Sequence, residues 1–513
     1  MNTYTLRDIL SKTVTDAGAG PHNIALTFDG RHVTFSELDD RSTRLAHGLL
    51  AAGFTKGDKV SVVMYNRLEW VELFFALAKL GGVIVPINYL LAASEMQYIF
   101  DDSQSRWIVV EGTLLPALKP ALHDNAKRTL IEVGEHTGLG IAYESLTAAG
   151  APPPLPDVRA DDLFLLQYTS GTTGFPKGAM HSHSTVLWNS HHQIVDFGIT
   201  NEDVYYVVPA LCWAAGFHDL ALATLWRGGR VVLGRNTGFD PGEFLRQVEL
   251  HRVTKVLLVP TVLKRVLNHP EFDRYDTSSL TMVLSGGEPV PPSSLEGLKA
   301  KLPHCDVLQV YGMSEFPSLM LLITGKDVQG RTGSTGKACS AATIRIVDAA
   351  GQDVPPHTIG EIICRSPANM VGYYNKPEAT AAALADGWLH TGDLASYDDQ
   401  GFVFMAGRAK DMIITGGLNV YPAEIERVLT AHTNVIEAAV VGEPDEKWGE
   451  IGVAHIVVRE NTHPDQEAIA AYLRERIAGF KVPRVYRFTT EPLPRTTSGK
   501  VQKHRLGKVT SNA

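Results

Sequence analysis

Cysteine is scarce in this chain: four in 513 residues, at Cys212, Cys305, Cys339 and Cys364, too far apart to make a C-x-x-C pair. That argues against a disulfide framework or a zinc knuckle and fits a reducing cytoplasm. Positive charge is short as well, with 47 Lys and Arg against 56 Asp and Glu and a net charge of −9. A nucleic acid or an anionic membrane surface asks for a basic face, so neither is an expected partner. Uninterrupted apolar runs are missing too. The longest, Leu73 to Ala93, contains Lys79, a Gly81-Gly82 break and Asn88, and reads as a helix followed by a buried strand rather than a transmembrane segment. The opening Met1-Asn-Thr-Tyr-Thr-Leu-Arg-Asp8 has no cationic segment followed by an apolar core, and the final Ser511-Asn-Ala513 is not a peroxisomal address, so a cytoplasmic location is expected. No internal repeat is visible.

What is present is enough apolar residue, 44% of the chain, to bury a large core in at least two domains. Strand and helix patterns alternate from the start. Lys59 to Met64 reads as a strand, Leu68 to Leu80 as a helix, Val83 to Ile87 and Trp107 to Val110 as further strands. The rhythm recurs with strands at Val204 to Val208, Arg230 to Leu233, Lys255 to Val259, Met282 to Leu284 and Val307 to Val310, so two parallel α/β subdomains are expected. Beyond about residue 330 short alternating strands, Thr343 to Val347 and Gly360 to Cys364, suggest a small β-barrel. A compact α+β segment follows, with a helix from about Ala423 to Leu429 and strands at Ala438 and Gly452, and the boundary is placed near Lys410. Ala151-Pro-Pro-Pro-Leu-Pro156 reads as a stiff surface linker within the large domain.

The most informative stretch is Tyr168-Thr-Ser-Gly-Thr-Thr-Gly-Phe-Pro-Lys-Gly178, which follows a buried strand from Leu163. Small residues let backbone N–H groups approach phosphate oxygens, hydroxyls add donors and Lys177 adds a mobile positive charge. A P-loop of the G-x-x-x-x-G-K-[ST] order would need Gly before its lysine and a hydroxyl after it; here Pro176 precedes Lys177 and Gly178 follows. A P-loop ATPase or kinase is therefore disfavoured, and a different ATP site is expected.

Further motifs come in a fixed order: Ser285-Gly-Gly-Glu-Pro289, Gln309-Val-Tyr-Gly-Met-Ser-Glu315, Trp388-Leu-His-Thr-Gly-Asp393, Gly407-Arg-Ala-Lys-Asp-Met-Ile-Ile-Thr-Gly-Gly417, Phe480-Lys-Val-Pro483 and Pro494-Arg-Thr-Thr-Ser-Gly-Lys500. With the glycine-rich loop, this series resembles the adenylate-forming superfamily of acyl-CoA synthetases, adenylation domains and beetle luciferases over nearly the whole chain, and acyl-CoA synthetases most. The resemblance implies an α/β fold with a large N-terminal domain, residues 1–409, of two α/β subdomains plus a small β-barrel. A small mobile α+β C-terminal domain, 410–513, would carry the catalytic lysine. It implies ATP, Mg²⁺ and CoA as cofactors, and a small carboxylic acid joined first to AMP and then to CoA.

By the same resemblance, Thr169, Ser170, Gly171, Thr172, Thr173, Gly174 and Lys177 would hold the β- and γ-phosphates. Glu315 would bind Mg²⁺, and Ser314, where the family more often has Thr, would touch the α-phosphate. Gly286, Gly287 and Glu288, with Gln309, Tyr311, Gly312 and Met313, would form the adenine slot, Tyr311 stacking on the purine. Asp393 suits the ribose diol because an ionised carboxylate is acceptor-only, and Arg408 would help it. Lys500 would reach both the carboxylate and the α-phosphate. Lys410 matches the family's hinge, and Gly416 and Gly417 would line the pantetheine tunnel, although the pair also reads as a plain turn before Tyr421-Pro422. His181, His183, His191 and His192 look like a metal cluster but have no Cys or acidic ligand at zinc spacing, so metal is not expected of them, and His183, which matches a family histidine just after the phosphate loop, would pack or hydrogen-bond. Glu424 and Glu426 fit the first turn of a helix, a structural role.

The pattern breaks at Pro209-Ala-Leu-Cys-Trp-Ala-Ala-Gly216, where many acyl-CoA synthetases carry Pro-x-Phe-His. Cys212 or Trp213 takes the gate position, depending on the alignment. Cys212 has no evident partner base and is not read as a nucleophile. The Phe-Asp pair that holds an α-ammonium in amino-acid-activating domains is missing, Phe217-His-Asp219 being offset, so the acid is expected to lack an α-amine. Trp213, Phe217, Met313, Phe316 and Leu319 suggest an apolar or aromatic body. Three alternatives stay open: transfer to a carrier protein or separate partner enzyme instead of CoA, a luciferase-like oxygenase, and a non-catalytic nucleotide-binding regulator. A homo-oligomer is compatible with all of them.

Overall fold

Runs of β-branched residues flanked by helices of 3.6-residue period build parallel sheets here, as such runs do when both faces are covered. The computed structural model describes residues 4–15, 22–122, 128–147, 154–169, 175–287, 290, 292–328, 331, 333–459, 462, 465–496 and 501–506. The chain falls into two compact units, Met1–Thr343 with Arg365–Leu389, and Ile344–Cys364 with His390–Ala513.

The first unit holds two large mixed sheets. One has eight strands in the order Gly372–Tyr373, Lys177–Ser182, Leu163–Thr169, Val83–Pro86, Lys59–Val63, Trp107–Glu111, Thr129–Val133 and Ile141–Ala142. The other has nine, in the order Lys337–Ala338, Phe316–Ile323, Asp306–Met313, Met282–Gly286, Lys255–Leu257, Val204–Val207, Arg230–Leu233, Ile24–Phe28 and Arg31–Thr34. One core joins them: Val60, Val62, Ile84 and Trp107 from the first sheet, Leu26, Tyr205 and Val231 from the second, and Leu73, Phe74 and Leu77 from the helix Leu68–Leu80.

That helix is the run flagged for its apolarity. It stops at Gly81 in the left-handed region, φ 62°, and the strand Val83–Pro86 follows. Lys79 inside it is buried but tied to Asp39 Oδ1 at 2.7 Å and to the hydroxyls of Ser42 and Thr43, which is how a buried ammonium is tolerated. Among the described residues no helix is long and apolar enough to cross a membrane.

In the second unit the short strands expected as a β-barrel form a four-stranded sheet in the order Thr343–Val347, Gly360–Arg365, Leu389–Tyr397 and Val403–Arg408, with no closure between its outer strands among the described residues. A further five-stranded sheet, Leu418–Val420, Ile413–Thr415, Gly449–Val458, Val435–Asp445 and Val485–Thr489, packs on helices Pro422–Thr430 and Gln466–Arg474 through Ile425, Leu429, Ile456, Ile469 and Leu473. In the first of these helices Glu424 lies in the first turn as expected and pairs with Lys481 at 2.8 Å, whereas Glu426 lies beyond that turn and accepts from the Val440 amide at 2.7 Å.

Candidate active site

The glycine-rich loop is the connection of an antiparallel hairpin. Strand Leu163–Thr169 pairs with Lys177–Ser182 in a register that sets Thr169 opposite Lys177, so the two ends of the loop face each other. Residues Ser170, Gly171, Thr172, Thr173 and Gly174 lie outside the described residues. The base of the loop is clamped from the helix Ala93–Asp102. Tyr98 stacks on Phe175 with ring centroids 4.7 Å apart and donates to the Pro176 carbonyl at 3.2 Å. Asp102 accepts from the Tyr168 hydroxyl at 2.8 Å and from Lys376 Nζ at 2.7 Å.

The second group sits where two parallel strands of the nine-stranded sheet end. Met282–Gly286 pairs with Asp306–Met313 so that Ser285 faces Gln309 and Gly286 faces Val310, the carboxyl-end position at which open α/β sheets take ligands. Gly286 has a packing reason to be glycine, since a Cβ there would stand 2.3 Å from the Val310 carbonyl oxygen. Gly287 follows at φ 84°. Gly286, Gly287, Gln309 and Tyr311 thus lie at the ends of two adjacent paired strands; Glu288 lies outside the described residues. Gly312 and Met313 continue the strand, and Ser314 and Glu315 form the turn into Phe316–Ile323.

The two groups meet at Glu315. Its carboxylate is buried, with only 9% of the residue exposed, and its Oε1 accepts from the Tyr373 hydroxyl at 2.7 Å. Lys177 Nζ lies 4.2 Å from the centroid of the Tyr373 ring. Burial and the adjacent Glu315 charge push the Tyr373 phenol well above its ordinary range, so it stays an O–H donor. His181 Nε2 lies 2.8 Å from the Ser314 carbonyl. Burial lowers this histidine to about 4, so it is neutral at pH 7 and donates through Nε2–H to that carbonyl. His183 packs on Phe164 at 4.8 Å, and His192 Nδ1 meets Asp196 Oδ2 at 3.1 Å. Among the described residues the four clustered histidines do not converge on one point. His192, Asp196 and Cys339 do lie together, with Asp196 also accepting from the Ser340 amide at 3.0 Å.

The gate segment is pinned from below. Asn66 donates to the Pro209 carbonyl at 3.0 Å and accepts from the Leu211 amide at 2.8 Å, while Gln167 Nε2 reaches the Cys212 carbonyl at 3.4 Å. Cys212 is buried, and burial raises its thiol to about 12. At pH 8 that leaves roughly one thiolate in 10⁴, too few for nucleophilic chemistry. Native protein treated with iodoacetamide at pH 8 is therefore expected to leave Cys212 unmodified, with alkylation appearing only in denaturant; peptide mass spectrometry reads both. Trp213 is partly exposed. Phe217 is wholly buried against Trp70 and Phe74, with centroids at 5.0 and 4.6 Å, and Leu319 belongs to the same core. Phe316 is buried near His192.

In the second unit, strands Leu389–Tyr397 and Val403–Arg408 set Asp393 opposite Arg408, with Arg408 Nε 3.4 Å from Asp393 Oδ1. The turn before Asp393 is fixed by Glu361, which accepts from the Gly392 amide at 2.9 Å and faces His390 Nδ1 at 2.9 Å, and by Thr391 Oγ1, which accepts from the Asp393 amide at 3.1 Å. Lys410 lies in the single 3₁₀ turn Ala409–Asp411, and partial burial together with Arg408 lowers its pKa. Gly416 and Gly417 are the two loop residues of the hairpin in which Thr415 pairs with Leu418, at φ 56° and 79°. A two-residue hairpin loop with both φ positive calls for glycine on conformational grounds alone. The Gly416 amide donates to the Trp448 carbonyl at 2.7 Å, and Trp448 was not anticipated. Lys500 lies outside the described residues.

Tyr373 was missed as well. Its strand is two residues long, too short to carry a period, and only its pairing with Lys177–Ser182 brings it to Glu315.

Comparison with known proteins matches the AMP-binding enzyme family over residues 14–374 and the AMP-binding enzyme C-terminal domain over 424–500. The chain is 37% identical over 500 residues to a feruloyl-CoA synthase of Amycolatopsis sp, covering 96% of each chain. It is 34% identical over 489 residues to an indoleacetate–CoA ligase of Aromatoleum aromaticum, covering 95% of each. Among solved structures, o-succinylbenzoate CoA synthetase of Bacillus subtilis in complex with its acyl-adenylate intermediate superposes with a TM-score of 0.87 at 29% identity, covering 99% of each chain. The same enzyme with ATP and a magnesium ion gives 0.86 at 29%, covering 98% of this chain and 99% of that one.

Proposed function

The chain belongs to the AMP-binding enzyme family, and on that premise we propose that it is an AMP-forming CoA ligase whose acid is an aromatic or aryl-alkanoic carboxylate. The observation that carries the nucleotide half is the convergence of Lys177 and Glu315 on Tyr373 at the mouth of the glycine-rich hairpin. Similarity to feruloyl, indoleacetate and o-succinylbenzoate enzymes along nearly the full chain supports both the thiol acceptor and the aromatic substrate class.

Joining a carboxylate to AMP sets an anion against the α-phosphorus of a polyanion, so donors and positive charge must be held in place before the reaction begins. Lys177 and the loop hydroxyls would hold the β- and γ-phosphates, Ser314 the α-phosphate, Asp393 and Arg408 the ribose, and Gly286, Gly287, Gln309 and Tyr311 the base. Glu315 fits a hard dication. Its carboxylate is buried and oriented through Oε1, while Oε2 has no hydrogen bond among the described residues. Bound magnesium would neutralise charge on the phosphates and the departing pyrophosphate. Lys500 would then stabilise the charge developing at the α-phosphate. Cys212 and Trp213 line the entry to the acyl site in this reading, and neither takes part covalently.

The test is carboxylate-dependent ATP/pyrophosphate exchange across fatty, aryl, aryl-alkanoic and cyclic acids, with and without CoASH, following AMP and thioester by mass spectrometry. Exchange and thioester are expected with aromatic acids. Exchange without thioester would point to a carrier-protein acceptor, and no exchange with any acid would overturn the enzymatic reading.

A further inference from the structure

Tyr373 stands between the two groups that the reaction needs most. Its position comes from the backbone. Gly372–Tyr373 adds to the edge of Lys177–Ser182 in antiparallel register, Gly372 facing Met180 and Tyr373 facing Ala179. The Tyr374 amide donates to the Gly178 carbonyl and the Val371 amide to the Met180 carbonyl, each at 2.9 Å. On the other side the Met370 amide donates to the Glu315 carbonyl at 2.8 Å, and the Tyr373 amide is held by Thr380 Oγ1 at 2.8 Å. One short strand therefore fixes the phosphate-loop lysine and the buried carboxylate relative to each other.

The side chain uses both of its ends. A buried tyrosine needs an acceptor for its hydroxyl, and here the acceptor is the carboxylate Oε1 itself, in a charge-assisted bond of 2.7 Å. The ring face is covered by the Lys177 ammonium. A tyrosine retained only for packing would have no reason to engage a cation and an anion at once.

We propose that Tyr373 is a positioning residue: its hydroxyl aims Glu315 at the magnesium ion, and its ring holds Lys177 beside it, so that metal and lysine meet the polyphosphate as one preset unit. This rests on the reading of Glu315 as the magnesium ligand. The experiment measures Mn²⁺ binding to the enzyme with ATP and no acid, by the electron paramagnetic resonance of free Mn²⁺, and ATP binding in EDTA by calorimetry. Tyr373→Phe keeps the ring and the strand pairing but loses the hydroxyl. Its Mn²⁺ dissociation constant is expected to rise about tenfold, with ATP affinity in EDTA and the melting temperature unchanged. Tyr373→Leu also removes the ring and is expected to weaken ATP in EDTA about threefold.

Unchanged Mn²⁺ affinity in Tyr373→Phe, beside a wild type that binds Mn²⁺ and a Glu315→Gln variant that loses it, would overturn the proposal alone. Equal ATP affinity in EDTA for the phenylalanine and leucine variants would overturn the role of the ring. A wild type without ATP-dependent Mn²⁺ binding, or a Glu315→Gln variant that binds as well as wild type, would overturn the metal assignment and the proposal with it.

Discussion

Replacing Lys500 by alanine is expected to lower acyl-AMP formation at least about 100-fold while leaving ATP binding largely intact. The asymmetry follows from where the charge is needed. In the proposed reading Lys177, the loop donors and a metal would already neutralise the phosphates of ground-state ATP, so one more cation would add little to binding. The attacking carboxylate adds an anion at the α-phosphate, and only a cation placed there acts on the transition state rather than on the bound substrate. The family resemblance assigns that cation to Lys500, and the described residues beside it are fixed: Arg495 and Val501 bridge as antiparallel neighbours, the Gln502 amide donates to the Pro494 carbonyl at 2.7 Å, and Arg495 pairs with Glu437. Pyrophosphate exchange gives the rate, and equilibrium dialysis with labelled ATP gives the binding. Exchange at the wild-type rate in the alanine variant would remove Lys500 from the mechanism. A parallel loss of ATP affinity would make it one more phosphate contact.

The order of elements was readable because the parallel strands are buried runs and the helices between them keep their period. Val83–Pro86 and Leu68–Leu80 fall within a residue or so of expectation for that reason, and the helix expected over Ala423 to Leu429 spans Pro422–Thr430. Motif residues support expectations singly because each chemistry restricts residue type: a diol wants a carboxylate, a polyphosphate wants glycine, hydroxyl and lysine. What sequence spacing does not carry is pairing across long separations. Tyr373 reaches Glu315, 58 positions away, only through a two-residue edge strand. His181 was set aside as one of a crowded group, yet its burial and its contact with the Ser314 carbonyl place it against the nucleotide motif. The expected β-barrel is not confirmed for a related reason, since alternation tells a strand from a helix but not whether the outer strands of a sheet meet. At Gly416 and Gly417 two readings of the same residues coexist. Positive φ at both accounts for glycine without any ligand, so a tunnel role stands on the family resemblance and not on the conformation.

Lys410→Pro is expected to lower thioester formation at least about 100-fold while acyl-AMP formation stays within about tenfold of wild type. If the C-terminal segment must turn about this residue between the two half-reactions, φ and ψ at Lys410 have to take two sets of values. Proline fixes φ near −65° and removes the amide donor. In the 3₁₀ turn Ala409–Asp411 the closing hydrogen bond runs from the Met412 amide to the Ala409 carbonyl, so the Lys410 amide is not the donor that closes the turn and a helical φ suits the ring. The conformation seen here therefore tolerates proline, apart from the restriction a proline imposes on Ala409 before it, which sets the modest loss in the first step. A second conformation with a different φ is closed to it. Lys410 is an exposed residue on a turn, and Lys410→Ala provides the control for loss of the charge, keeping a free φ while removing the ammonium. Single-turnover measurements separate the steps: acyl-AMP appearance without CoASH, then its decay on addition of CoASH. A selective loss in the second phase for proline, absent in alanine, is the outcome that rotation demands. Equal loss in both phases would mean that the residue supports the fold of its segment and that the thiol reaches the adenylate without a turn at this position.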